Sequence, residues 1–285
     1  MESLDASRRS YARMIVGKAG VADERLVAAF AAVERERFIG PGPWSVPINE
    51  GSYARTDTSD PRAVYQDIVV ALAADRGINN GQPSLHAKCL ALVDPKPGER
   101  VVHVGAGTGY YTALLATLVG PSGPVAAYEI EPDLAERARE NLRAFGNVRV
   151  HCASATEAPL PQASDVIYVS AGATHPVAAW LDALAPGGRL LFPFTPDDGW
   201  GCMLAITRRP GGGYAARAIA HVGFIDCIGA RDAAASAALT AALRRGNSAG
   251  IRSLHRNASP DRTVWCAGRD WWLSTADWRP ARLLR

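Results

Sequence analysis

Between residues 100 and 195 the apolar positions fall into two alternating rhythms. Short solid runs ("RVVHVGAG", "PVAAYEIE", "NVRVHCA", "SDVIYVSAG" and "GRLLFPFT") are separated by segments in which apolar residues return every three or four positions. Solid runs bounded by turn residues predict buried strands, and the wider spacing predicts amphipathic helices. "YYTALLATLVG" is one such helix, with Leu114, Leu115 and Leu118 among its apolar positions and Gly120 as its stop. In "PDLAERARENLRAFG", Pro132 suits the first turn, Leu134, Ala138, Leu142 and Phe145 share a face, and Gly146 ends the pattern. "PVAAWLDALAPGG" reads as a helix until its Pro-Gly-Gly stop. Strands separated by short amphipathic helices predict an α/β fold with a doubly wound, parallel sheet and right-handed crossovers.

The flanks follow other patterns. Residues 23–38 place Leu26, Phe30, Val33 and Phe38 near one helical face, with Asp23 as N-cap. "IGPGPWSVPINEGSY" is broken by prolines and glycines and reads as an exposed connector, and residues 60–80 support no firm assignment. From Ser84 to Val93 the chain reads as a helix capped by Ser84 and ended near Pro95. Beyond residue 200 the pattern predicts a hairpin around Pro210–Gly213, a helix over "DAAASAALTAALRRG", and a strand pair turning at Gly268. Trp265, Trp271, Trp272 and Trp278 are expected to pack this tail onto the sheet. The division expected is a helical cover and connector over 1–78, a core over 79–230, and a C-terminal helix and hairpin appendage over 231–285.

Composition narrows the classes. The chain has 285 residues, 48% of them apolar and 21% charged, which is a globular composition with ample length for a buried core. Its net charge of +3 is small and scattered, so nothing argues for nucleic acid or a membrane surface as partner. The N-terminal "MESLDASRRSYAR" has no apolar signal core and no segment nears the ~20 apolar residues that span a bilayer, so a cytoplasmic location is expected. Five widely spaced cysteines without a C-x-x-C pair suggest neither a disulfide framework nor a zinc site, and no metal cluster is evident. Most of them are expected to be small buried residues.

The chemistry is concentrated in "HVGAGTGYY", which follows a predicted strand and opens a predicted helix. Gly105, Gly107 and Gly109 allow a tight turn and a close ligand approach to the backbone. Glu129, near the end of the next strand, is an acidic residue where an adenosyl ligand would present its ribose hydroxyls. Two cofactor readings compete, a dinucleotide and S-adenosyl-L-methionine. The G-x-G-x-G spacing differs from the G-x-G-x-x-G that holds a pyrophosphate and favours S-adenosyl-L-methionine. A glycine turn that binds nothing, in a scaffolding module, is the competing bland reading.

Residues 79–225 resemble the protein-L-isoaspartate (D-aspartate) O-methyltransferase family. The resemblance is carried by "AFAAVERERFIGPG", by "VYQDI" with Tyr65 and Asp67, by "GERVVHVGAGTGYYTALLA", by "SDVIYVSAGATHPVAAWLDALAPGGRLLFPF" and by "HVGFIDCIG". It implies a Rossmann-like class I S-adenosylmethionine-dependent methyltransferase with a seven-stranded, mostly parallel sheet. The implied cofactor set is Gly105, Ala106, Gly107, Thr108, Gly109 and Tyr110 for the loop, Glu129 for the ribose, and Ser154 where the family usually carries an Asp near adenine. The family's Thr-Ile-Ser-x-Pro substrate turn reads here Asn79, Asn80, Gly81, Gln82 and Pro83, with His86 and Ala87 continuing the motif. These four residues before Pro83 are expected to position substrate, their side-chain amides replacing hydroxyls and Gly81 adding room.

The implied reaction is carboxyl O-methylation of an aspartyl or isoaspartyl carboxylate in a protein or peptide. An ionised carboxylate is already a nucleophile and needs no general base, so positioning supplies most of the acceleration. His86 and His175 are therefore expected to be structural or pocket-lining. The altered turn keeps open a specialised methyltransferase of a small-molecule or peptide natural product and, further off, a transfer-RNA adenine methyltransferase. Nothing in the sequence sets an oligomeric state.

Overall fold

The structure, a computed structural model, describes residues 3–49 and 52–278. It divides into two compact units, Met1–Ala153 and Ser154–Arg285, which are taken in turn.

The first unit opens on a helix absent from the sequence expectations, α1 (Leu4–Lys18). Ser3 caps it by accepting the Ala6 N–H, and its apolar residues Tyr11, Ala12, Ile15 and Val16 are buried while Arg13 between them is exposed. The helix expected over 23–38 is two: α2 (Glu24–Ala32), capped as expected by Asp23, and α3 (Arg35–Ile39). The chain breaks at Val33, which adopts an extended conformation, and the break turns Arg35 into the interior. Tyr11 and Phe30 meet edge to face at 6.4 Å, packing α1 on α2.

The Pro/Gly stretch is not an exposed connector. It forms a hairpin of β1 (Ser45–Asn49) and β2 (Ser52–Arg55), and Trp44 beside it is buried against Ile39, Val64 and Val70. A 3-10 turn at Pro61–Val64 follows, then β3 (Ala71–Ala73) paired antiparallel with β4 (Ile78–Asn79). Next, α4 (Pro83–Val93) begins one residue earlier than expected. Ser84 does not cap it, because Pro83 takes the first helical position and the Ser84 N–H and hydroxyl both go to Asp67.

The alternation seen in sequence then appears as β5 (Val101–Val104), α5 (Tyr110–Val119), β6 (Val125–Glu129), α6 (Pro132–Asn141) and β7 (Val148–Cys152). The three strands pair in parallel, Val101 beside Val125 and Val125 beside Val148. Every residue of β5 and β6 is buried, which is why these strands read as solid apolar runs rather than alternating ones.

The second unit contains β8 (Ser164–Val169), α7 (Ala178–Ala183), β9 (Leu184–Phe194), β10 (Gly201–Arg208), β11 (Tyr214–Val222), α8 (Ala233–Arg245), β12 (Ser253–Arg256), β13 (Val264–Ala267) and β14 (Trp271–Ser274). Its strand order is β13-β14-β12-β11-β10-β9-β8. Here the expectation of seven mostly parallel strands needs correction. Among the described residues the first unit supplies three parallel sheet strands and the second supplies seven, of which only β8 and β9 pair in parallel. Short connections such as Arg209–Gly213 cannot cross over a sheet and so force antiparallel pairing.

The tail closes on this sheet as expected. Trp265, Trp271 and Trp272 are buried, and Trp271 meets Phe194 of β9 at 5.9 Å, near perpendicular. Cys89, Cys202, Cys227 and Cys266 are buried and Cys152 is exposed, none of them in a disulfide among the described residues. No helix among the described residues is long and apolar enough to cross a membrane.

Replacing Trp271 with Ala empties a buried indole site and should destabilise the chain by about 3–5 kcal/mol. Urea unfolding at unchanged m-value measures this, and a loss under about 1 kcal/mol would mean that the tail is not part of the core.

Candidate active site

The loop from β5 to α5 is made of left-handed turns. Gly105, Gly107 and Gly109 have φ of +73°, +55° and +97°, values that L side chains rarely adopt. At Gly109 a Cβ would also stand 2.7 Å from Leu142 Cδ1, so glycine is required there twice over. The Gly105 and Ala106 N–H groups donate to Tyr128 O at 2.9 and 3.1 Å, and Asn141 Nδ2 donates to Thr108 O at 2.9 Å. Thr108 is itself buried. Tyr110 enters the aromatic core, 6.4 Å from Phe30 and 5.7 Å from Phe38, so its ring packs α5 against α2 and α3.

Glu129 ends β6 with its carboxylate turned to this loop. Oε2 accepts the Gly107 N–H at 2.6 Å and Oε1 accepts the Glu131 N–H at 3.0 Å. Burial pushes its pKa up, and the backbone N–H bonds oppose that shift. Three backbone N–H groups, of Gly107, Ile130 and Glu131, thus address a carboxylate with about four lone-pair sites, which leaves acceptor capacity for a ligand hydroxyl.

The turn expected to face substrate lies in the same unit and is internally bonded. Asn79 Oδ1 accepts the Gly81 N–H at 2.9 Å, an Asx turn. Asn80 is buried and pins β4 to the preceding segment: its Oδ1 accepts the Val70 N–H at 2.8 Å and its own N–H donates to Val70 O at 3.0 Å. Its Nδ2 has no partner among the described residues. Gln82 Nε2 donates to Asp67 at 3.2 Å. Gly81 has φ +69°, and the expected room beside it is filled, since a Cβ there would stand 2.3 Å from His86 Nε2.

His86 stacks on Tyr111 with ring centroids 3.6 Å apart and planes 12° apart, and the Tyr111 hydroxyl reaches Gly81 O at 3.5 Å. The turn is thereby brought against the first helical turn after the glycine loop. Burial, with a smaller contribution from His103, pushes the His86 imidazole down to about 3. At neutral pH it is an uncharged, weakly basic packing group, as expected.

Sequence reading missed Asp67 and Arg35 as organisers. Asp67 accepts the Ser84 N–H at 2.9 Å, the Ser84 hydroxyl at 2.7 Å and the Gln82 amide, with Lys18 Nζ at 3.8 Å. Arg35 is fully buried, and its guanidinium donates to Val64 O, Gln66 O and Ile68 O at 2.5, 2.9 and 2.5 Å. Only "Tyr-x-Asp" hinted at the first of these.

Ser154 belongs to the second unit. Its Oγ pairs with Thr156 Oγ1 at 2.8 Å, and Gly229, with φ +84°, packs so that a Cβ would meet Thr156 Oγ1 at 2.3 Å. His175 Nδ1 contacts Thr174 Oγ1 at 3.2 Å, and burial lowers its pKa. Among the described residues no group of His, Cys, Asp and Glu is arranged to hold a metal.

The α/β fold, the glycine loop and the carboxylate closing the second parallel strand define a class I S-adenosylmethionine-dependent methyltransferase. Solved structures share the fold: a protein-L-isoaspartate O-methyltransferase matches with TM-score 0.61 at 23% identity over 93% of this chain and 86% of its own. A Plasmodium falciparum beta-aspartate methyltransferase in complex with S-adenosyl-L-homocysteine matches with TM-score 0.60 at 20% identity over 77% of this chain and 97% of its own. Protein-L-isoaspartate O-methyltransferase of Aeropyrum pernix is 34% identical over 80% of this chain and 83% of its own length. The second such enzyme of Marinobacter nauticus is 32% identical over 80% of this chain and 95% of its own. The profile of protein-L-isoaspartate(D-aspartate) O-methyltransferase matches residues 13–232, and the chain belongs to that family. It is thus an S-adenosylmethionine-dependent O-methyltransferase, and the Glu129 carboxylate beside a glycine-rich loop fits that cofactor.

Glu129→Ala should weaken S-adenosyl-L-homocysteine binding about 100-fold, the loss of two hydrogen bonds to a charged acceptor at about 1.5 kcal/mol each. Because the ligand hydroxyls need the ionised carboxylate, affinity of the wild type should fall as pH drops through the raised pKa of Glu129. Calorimetric titration reads both; an unchanged Kd in the variant contradicts the ribose role. Gly81→Ser should cost about 1–3 kcal/mol through its left-handed backbone and its clash with His86. The same substitution should cost less in a His86→Ala background, and equal costs in the two backgrounds would rule out that clash.

Proposed function

We propose that this chain methylates the side-chain carboxylate of isoaspartyl residues in proteins and peptides, giving a methyl ester. The observation that supports it best is the junction of the 79–82 turn with α5 through the His86–Tyr111 stack, which sets an acceptor-side edge beside the glycine loop. Bound S-adenosyl-L-methionine supplies an electrophilic methyl group on a sulfonium. The protein's part is alignment. The Gly105–Tyr110 loop and Glu129 would hold the cofactor, and the 79–82 turn would orient the acceptor carboxylate toward it.

Among the turn amides, Asn79 is the one we assign to the acceptor. Its Oδ1 is engaged by the Gly81 N–H, and its Nδ2 group has two N–H donors to offer. Gln82 spends a donor on Asp67, and Asn80 serves the backbone of Val70. No general base is needed, which agrees with His86 being buried and pushed down to about 3.

An isoaspartyl peptide and its normal aspartyl counterpart, incubated with the protein and S-adenosyl-L-methionine, test the reading by mass. The isoaspartyl peptide should gain one methyl group that mild alkali removes, and the aspartyl peptide should gain at least tenfold less. No transfer to the isoaspartyl peptide despite cofactor binding refutes the acceptor, and an alkali-stable methyl group refutes the ester.

A further inference from the structure

We propose that Asp67 is a positioning residue for methyl transfer, holding the 79–82 turn and the start of α4 in register, with Arg35 as the clamp that holds Asp67. The proposal rests on the reading of that turn as the acceptor edge.

Three observations carry it. First, the donors that Asp67 accepts at hydrogen-bond distance all come from the turn and the helix it leads into: Gln82 Nε2 at 3.2 Å, Ser84 N at 2.9 Å and Ser84 Oγ at 2.7 Å. Lys18, at 3.8 Å, balances its charge from outside. Second, α4 lacks a cap of its own. Gln82 stands at the N-cap and makes no side-chain capping bond, and Pro83 has no N–H, so a carboxylate 17 positions upstream does the capping. A negative charge there is favoured by the helix dipole, and its pKa is held below the usual carboxylate range by the Ser84 and Gln82 bonds. Third, the segment carrying Asp67 is not free to shift. Arg35 grips Val64 O, Gln66 O and Ile68 O from a fully buried position, so the carbonyls on both sides of Asp67 are fixed.

The consequence is a rigid line from α3 to the turn: Arg35, the 64–68 backbone, Asp67, then Ser84 and Gln82. Asn80 is tied to Val70 and Gln82 to Asp67, while Asn79 accepts the Gly81 N–H within the turn. The glycine loop is held by separate bonds, from Tyr128, Glu129 and Asn141. Loosening Asp67 therefore affects the acceptor side and spares the cofactor side.

Asp67→Asn, which keeps the volume but turns one acceptor oxygen into a donor facing Ser84, is the primary variant, and Ser84→Ala is the milder one. With an isoaspartyl peptide, D67N should raise KM at least tenfold and S84A about threefold, with the Kd for S-adenosyl-L-homocysteine within twofold of wild type in both. A parallel loss of cofactor affinity, or an unchanged KM, overturns the proposal. Amide hydrogen exchange over 79–86 gives a reading independent of activity: it should quicken at least tenfold in D67N, with 105–112 unchanged. Unchanged exchange over 79–86 overturns the proposal even if the protein is active. If the wild type transfers nothing to the peptide, the acceptor reading falls and the exchange result alone decides whether Asp67 holds the turn.

Discussion

Glu129 accepts the Gly107 and Glu131 N–H groups on its two oxygens, and these two bonds tie the loop leaving β5 to the chain leaving β6. The loop cannot take its left-handed turns without glycine at 105, 107 and 109, and it has no fixed shape without an acceptor for the N–H that those turns expose. A buried carboxylate is costly to keep charged, and burial does raise its pKa. What offsets that cost is hydrogen bonding from the backbone N–H groups. The same carboxylate thus shapes the loop and, in the function proposed, also receives the ligand hydroxyls.

Around that fixed point the first unit is organised by buried polar clamps more than by apolar packing alone. Arg35 holds three carbonyls in a segment with little regular structure, and Asn80 holds Val70. Each replaces backbone pairing that a strand or helix would have supplied. Arg8, Glu36 and Tyr65 make a second such cluster, with Arg8 bonded to the Tyr65 hydroxyl at 2.8 Å and to Glu36 at 2.5 Å. These bonds order residues 60–80, where the sequence pattern supports no assignment.

That contrast explains what was legible. The β5 to β7 alternation, the β10–β11 hairpin and α8 were readable because burial imposes a period on their apolar residues. Asp23 signalled its helix start by type and place. By contrast, α1 hides a narrow apolar stripe among arginines, and the β1–β2 hairpin runs through prolines that usually mark a connector. At the candidate site, the left-handed turns at the glycines and the place of Glu129 beside them were legible because both are local. The turn residues were legible in position but not in use. Asn79 and Gln82 spend part of their polar capacity on partners chosen by the fold, and the space beside Gly81 is taken by a histidine five residues on. Asp67 acts across 17 positions, a distance at which no sequence spacing announces a pair.

The account's central claim is that one ordered edge, the 79–82 turn, receives the acceptor while the glycine loop and Glu129 receive the cofactor. The most direct measurement is a crystal structure of the protein with S-adenosyl-L-homocysteine and an isoaspartyl peptide bound together. The account predicts the isoaspartyl carboxylate within hydrogen-bond distance of Asn79 Nδ2 and facing the homocysteine sulfur, with both ribose hydroxyls on Glu129. A carboxylate bound away from the turn, or a ribose that does not touch Glu129, would contradict it.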